Sequence, residues 1–444
     1  MKGTQRRPSV IVTTGGRGAV AHAGARLLCD LADDLGLTDG LSAAMAPTKQ
    51  RRRGHDRGHV LVDLAVALAD GATAISDLRA LANQPALFGE VASVPTAWRT
   101  LEAIDAAARE RIAGARAQAR RQAWAAGMDP GFYVIDIDGT LVNAHSEKEQ
   151  AAPTYKHGFG FYPLVAYLDR SGEPLAGLLR PGNAGSGTAA DHIAVLDLAL
   201  AQLPVDPHTT EVIVRTDSAA LSHDFLEACR ERACRFVVGH ALTADLARIV
   251  LQVPESRWIP ALSADGMDER EGAEVAEVTD LVDLAAWPEG TRMIARREEP
   301  HPGAQLTFTD IDGHRYQVFL TDHPERDVPF LETLYRGRGR VECAIRDAKD
   351  TGLANLPSAD FQINQAWLAL VLVAGDLLAW MKGLCLRGEL AVAEPKRLRF
   401  ALLHAAGLIV RSARRLTLRI ADGWPWADDL VNAFGRLPGW SLVT

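Results

Sequence analysis

Tyr335, Arg338, Glu342 and Lys349 bring four chemically different polar groups together within fifteen residues. At about 100° per residue, their offsets of 3, 7 and 14 return to one helical stripe, spread over roughly 60°. A surface helix ordinarily turns an apolar stripe inward and solvates its charges. Here a single stripe would carry a phenol, a guanidinium, a carboxylate and an ammonium. A carboxylate flanked in this way is suited to ligate a metal while its cationic neighbours hold phosphates. A solvated helix with a charge run would look the same locally, so acids elsewhere in the chain must decide.

Two such acids stand at the ends of apolar runs. Phe132-Tyr-Val-Ile-Asp-Ile-Asp138 reads as a buried strand ending in carboxylates, and Val212–Arg215 as a second strand ending at Asp217. A carboxylate at a strand end is exposed at the rim of a sheet, where ligands usually sit. Three converging carboxylates repel one another unless cations intervene, and that many oxygen donors suit Mg²⁺ or Mn²⁺. Asp136 lies on the same strand face as Asp138 and competes with it for the first position. Asp217 has a plainer reading as a helix N-cap.

The elements that must position these residues form five stretches. Residues 1–130 read as mostly helical, with leucines near helical spacing from Leu27 to Leu37 and again from Val60 to Leu68. A basic turn, 49–59, separates the two, and a basic helix from Arg109 to Arg121 leads onward. Residues 131–242 give three strands, a helix, a strand, a helix and a strand. Residues 243–330 break into Pro-punctuated pieces with β-rich runs at 290–296 and 306–320, an insertion before the next element. Residues 331–358 carry the helix with Glu342. Residues 359–444 read as helical, and the apolar run Ala366–Met381 is short for a bilayer span and contains Asp376, as a buried helix would.

Composition narrows the function. The chain has 444 residues, 48% of them hydrophobic and 23% charged, as expected of a globular protein with several cores. Its five cysteines form no Cys-x2-Cys pair, which argues against a zinc ribbon or disulfide scaffold and suits a reducing cytoplasm. The net charge of −8 is uneven. Residues 396–419 hold seven Lys/Arg and no acid, whereas 264–299 hold eleven acids against four cations. Local patches set phosphate attraction within a Debye length of ~8 Å, so the acidic total does not exclude nucleic acid.

The spacing Tyr-x2-Arg-x3-Glu-x6-Lys resembles the signature of one branch of bacterial insertion-sequence DDE transposases. Also similar to that group are Ile135-Asp-Ile-Asp-Gly-Thr140, Val214-Arg-Thr-Asp217-Ser, His157-Gly-Phe-Gly-Phe-Tyr-Pro163 and Arg180-Pro-Gly-Asn183. The resemblance implies a ribonuclease H-like α/β core, a mixed sheet with helices, between helical N-terminal and C-terminal regions. It implies that Asp138, Asp217 and Glu342 are the catalytic metal ligands, with two Mg²⁺ or Mn²⁺ ions, and that Tyr335, Arg338 and Lys349 contact DNA. Asp138 is preferred over Asp136 because Asp-x-Thr fits the family better. The partners implied are terminal inverted repeats bound through the N-terminal region, target DNA, and a second copy of the chain in the DNA complex. The reaction implied is cut-and-paste transposition in the bacterial cytoplasm, with no membrane involved.

Two alternatives stand beside this. Phe132 to Leu141 also matches the first motif of haloacid dehalogenase-type phosphatases, with Asp136 as nucleophile and Asp138 as general acid. The later acidic motif of those enzymes is incomplete here, because Asp376 has no second acid after it. A DNA-binding protein with an inactive nuclease-like core is the other.

Overall fold

The computed structural model describes residues 10–49, 54–144, 147–185, 187–301, 303–305, 310–413 and 415–439. Residues 50–53 of the basic turn and the start of the run at 306–320 therefore lie outside the described residues.

The N-terminal region contains α1 (Ala25–Asp34), α2 (Leu37–Met45), α3 (Arg57–Ala69), α4 (Val94–Glu102) and α5 (Ala106–Ala123). Gly36, in the left-handed conformation, turns the chain between α1 and α2. Asp56 caps α3 by accepting from the Gly58 and His59 amides. Helix α3 is apolar on nearly every face and is buried accordingly.

The core follows with β1 (Tyr133–Gly139), β2 (Leu164–Leu168), β3 (Pro174–Leu178), α6 (Ala189–Leu200), β4 (Val212–Thr216), α7 (His223–Glu231) and β5 (Arg235–His240). These strands lie in the order β3-β2-β1-β4-β5. Strands β1 and β2, and β2 and β3, pair antiparallel; β1, β4 and β5 run parallel. This is the ribonuclease H-like arrangement: a hairpin-linked antiparallel half joined to a parallel half with helical crossovers.

The insertion supplies β6 (Ile259–Leu262), β7 (Glu269–Glu277), β8 (Arg292–Glu298) and β9 (His314–Thr321). Its strands do not form a separate sheet. Strand β9 pairs antiparallel with β5, and β8, β7 and β6 continue outward, making a ten-stranded sheet with Asp310–Ile311 added on β9. The open edge of β5 is thereby covered by pairing. Trp258 in this region is buried against the Arg297 guanidinium and Tyr316.

Helices α8 (Val328–Arg336) and α9 (Gly339–Ala348) come next, then α10 (Phe361–Trp380). Helix α10 and the turn after it, to Cys385, are long and apolar enough to cross a membrane, yet most of this stretch is buried inside the molecule. The reading of 359–444 as helical needs correction. Residues 407–420 form a hairpin, β10 (Gly407–Ser412) with β11 (Arg415–Ile420), on which the short strand Ala19–Val20 pairs. Leu408, Val410, Leu416 and Leu418 alternate with other residues at period 2, as a strand requires. Helix α11 (Ala427–Phe434) follows.

The N-terminal helices share one continuous hydrophobic core with the sheet and α10. Within it lies a charge network. Arg116 of α5 donates to Asp376 of α10 at 2.6 Å, and Arg120 donates to Asp376 at 2.5 Å and to Glu173 at 3.0 Å. Trp124 and Trp380 donate their indole N–H groups to the same Glu173. Two of the arginines of the basic helix are thus structural, buried at 3% and 0% exposure.

Candidate active site

Asp138 and Asp217 are neighbours because of strand pairing. Strands β1 and β4 run parallel with Ile137 opposite Thr216, so the next residue on each chain is an aspartate at the same sheet rim. Neighbouring strands stand about 4.8 Å apart, which brings the two carboxylates onto one edge. Helix α9 packs Val341 and Ile345 over Val165 and Tyr167 of β2, and this sets Glu342 in its first turn beside that rim.

The three acids meet at one cation. Arg338 Nη2 lies 3.0 Å from Asp138 Oδ2 and 3.7 Å from Asp217 Oδ2, and its Nη1 lies 3.5 Å from Glu342 Oε1. Each aspartate also has an oxygen held by backbone. Asp138 Oδ1 accepts from the Gly139 amide at 2.8 Å, and Asp217 Oδ1 accepts from the Ala219 amide at 3.0 Å. The capping reading of Asp217 and its place in the cluster therefore both hold, one oxygen serving each. Burial pushes the Asp138 carboxyl up to about 6; Arg338 opposes that, while Asp217 and Glu342 add to it.

The donor set fits a hard divalent ion. It offers three carboxylates against a single guanidinium, a local excess of two negative charges, with one oxygen of each acid 3.0–3.7 Å from that guanidinium. Mg²⁺ and Mn²⁺ take such oxygen ligands.

Asp136 is differently occupied. It is 2% exposed, and both its oxygens accept from Arg215, at 2.6 and 2.7 Å. Burial pushes its carboxyl up to about 6 while Arg215 pulls it down. A carboxylate so buried and clamped has no approach for a substrate, as the phosphatase reading would require. That reading also needs a parallel β1–β2 neighbourhood, and the pair is antiparallel. Asp376, the acid of its incomplete later motif, lies in the buried network under α5.

The expected single stripe is modified at its centre. Gly337 and Arg338 form a tightened turn between α8 and α9, with Arg338 N–H donating to Tyr335 at 3.0 Å. Tyr335 stacks on Phe319 at 4.6 Å, and its hydroxyl lies against Gly239 at the end of β5, beside Asp217. Only glycine leaves room for it. Lys349 lies beyond the end of α9, beside a cleft of about 640 Å³ that Lys148, Asn143 and Asn355 also line. Burial and the charge of Lys156 lower its pKa.

Two residues of the quoted motifs also reach the site without having been singled out. Tyr162 lies across the end of β1, its hydroxyl 2.6 Å from where a Cβ on Gly139 would stand. Burial and the nearby acids push its pKa up to about 12. Arg180 stacks on that ring at 4.8 Å and donates to the Tyr162 carbonyl at 3.0 Å. The signal available in sequence was the pair of short motifs itself, Gly-rich and Pro-rich segments that must bring Tyr162 and Arg180 together.

No curated protein matches this chain. Among solved structures, it is similar to a piggyBac transposase in a synaptic complex with hairpin DNA, at 10% identity and a TM-score of 0.43, covering 85% of this chain and 80% of that one. The family profile described as "Transposase DDE domain group 1" matches residues 2–441. With nearly its full length matched by that profile, the chain belongs to the DDE transposase family.

Proposed function

We propose that this chain cuts and joins DNA at the ends of a mobile element, with Asp138, Asp217 and Glu342 as its metal-ligating catalytic residues. The observation that carries the reading is the meeting of these three carboxylates, from β1, β4 and α9, around one arginine at the sheet rim. Mg²⁺ or Mn²⁺, as two ions in the filled site, would supply an activated water or 3′-hydroxyl and neutralise charge on the phosphodiester. The protein's own part is positioning and electrostatics. Backbone amides fix one oxygen of each aspartate, and the other faces Arg338, which the ion would replace as its partner. Arg338 stands within reach of a phosphate lodged among the acids, and Tyr335 and Lys349 would contact the DNA beyond it.

The DNA partners follow from the same reading: terminal inverted repeats, then target DNA. Arg411, Arg415 and Arg419 are exposed on the β10–β11 hairpin and would follow a phosphate backbone. The N-terminal region would contribute to end recognition, in a bacterial insertion-sequence enzyme of the Tyr-Arg-Glu-Lys branch working in the cytoplasm. Joining two ends calls for two copies of the chain in the DNA complex.

The test is Glu342→Gln assayed on labelled element-end DNA with Mg²⁺. End binding should persist and strand cleavage should fall by about a thousandfold or more. Cleavage at the parent's rate would remove Glu342 from the metal site. A parent chain that binds the ends and never cuts them would instead support an inactive nuclease-like core.

A further inference from the structure

A second group of metal-ligand side chains stands on other elements. His22 precedes α1, Asp70 ends α3, and His404 follows the turn Arg399–Leu403 before the hairpin. One donor atom from each lies within 4.8 Å of the others. His22 Nδ1 is 2.6 Å from Asp70 Oδ2, and His404 Nε2 is 3.3 Å from Asp70 Oδ1. The two imidazoles meet edge to face at 4.6 Å.

The second observation is on Asp70 itself. It is 6% exposed, and its buried Oδ1 has only a long 3.3 Å contact from His404 Nε2, a nitrogen already engaged by the Asp70 carbonyl at 2.8 Å. A buried carboxylate oxygen left in that state is costly, and a cation placed between it and the imidazoles would satisfy it. Donor atoms bound tetrahedrally at about 2.0–2.1 Å stand roughly 3.3 Å apart, the spacing already present between Asp70 Oδ1 and His404 Nε2. The shorter His22–Asp70 contact would open slightly. Two groups oppose the ion and bound its affinity. The Asp70 carbonyl holds His404 Nε2 at 2.8 Å, and the Arg399 guanidinium lies nearby on the carbonyls of Leu68 and Ala69.

We propose that His22, Asp70 and His404 form a transition-metal site, with Zn²⁺ as its ion and a solvent-facing fourth position on the exposed His404 side. Two nitrogens and one carboxylate oxygen suit Zn²⁺ and are a poor set for Mg²⁺. The site is distinct from the carboxylates at the rim. Its place suggests its purpose. The backbone already joins the same segments, with the Ala23 amide donating to the Ala405 carbonyl at 2.9 Å, and the strand Ala19–Val20 pairs with β10. An ion here would lock the root of the basic hairpin onto α3.

The full chain, stripped of metal and then held in excess Mg²⁺ to occupy the rim carboxylates, would be titrated with Zn²⁺. One Zn²⁺ per chain should bind, vanish in His22→Ala and in His404→Ala, and remain in Glu342→Gln. Zinc-edge X-ray absorption of the parent, which needs no variant, should show two imidazoles in the shell. Hydrogen exchange at residues 18–23 and 404–410 should slow on zinc addition. Unchanged zinc uptake in both histidine variants, or a shell without imidazole, would overturn the proposal. So would a parent that retains no zinc.

Discussion

Two clusters of arginine and carboxylate, one buried under α5 and one at the strand ends, use the same chemical groups in different proportions. Under α5, Arg116 and Arg120 face Asp376 and Glu173, with indole N–H groups, Gln202 and backbone carbonyls meeting most of the remaining polar atoms. Charge is balanced two against two and water is excluded. At the rim, Arg338 alone faces Asp138, Asp217 and Glu342, and Glu342 is 68% exposed on its side chain. The balanced set holds elements together. The unbalanced set, still open to solvent, is arranged to receive further positive charge. Asp136 with Arg215, one strand step from Asp138, belongs with the first kind.

The difference can be broken most severely under α5. Asp376→Ala would strand two buried guanidinium groups and should cost about 3–5 kcal/mol, read as a lower denaturant midpoint. Mg²⁺ should not restore it, and an unchanged midpoint would contradict a structural role for the network.

At the rim the sign reverses. Asp138 titrates at about 6 in the folded chain against an ordinary 3.8, so the native state binds that proton more tightly than the unfolded one. Stability of the metal-free protein should therefore fall as pH rises from about 4 to about 6 and stay low above. Asp138→Asn should stabilise the metal-free chain by about 1–2 kcal/mol at pH 8 and by little at pH 4. Thermal melts at the two pH values would show it. A loss of stability at pH 8 would mean that Asp138 acts as a matched structural acid after all.

The smallest effect concerns the cations beside the acids. Lys349→Ala should leave folding nearly unchanged, because no acid among the described residues pairs with it, and should lower the slope of log affinity for end DNA against log salt by about 1. A slope equal to the parent's would separate Lys349 from the phosphate contacts.

Local pattern carried much of this. An apolar run ending in Asp138 reads as a buried strand because alternate residues share a face, and it forms β1. The run ending at Asp217 forms β4 for the same reason. The order of strands and helices between 131 and 242 was enough to place the sheet, since short connections and right-handed crossovers leave few topologies. The apolar run around Asp376 reads as a buried helix because its length and its acid suit a core better than a bilayer.

Other features depend on partners far away in the chain. The insertion reads as β-rich, but that β9 would pair with β5 and prolong the same sheet is a long-range choice. The alternation at 407–420 was legible in principle, yet the run of arginines there also fits a basic helix, and pairing with Ala19–Val20 decided it. Arg116 and Arg120 look like surface charges until Asp376 and Glu173, more than fifty residues distant, arrive to pair with them.

By itself the sequence determined the period of each element and which acids end which strands, because those depend on neighbours along the chain. Only the tertiary structure decided which charges are matched. It set Asp136 against Arg215, gathered Asp138, Asp217 and Glu342 on Arg338, and brought His22, Asp70 and His404 together. A carboxylate's role follows from how many cations and how much water lie within a few ångströms, and folding sets that number.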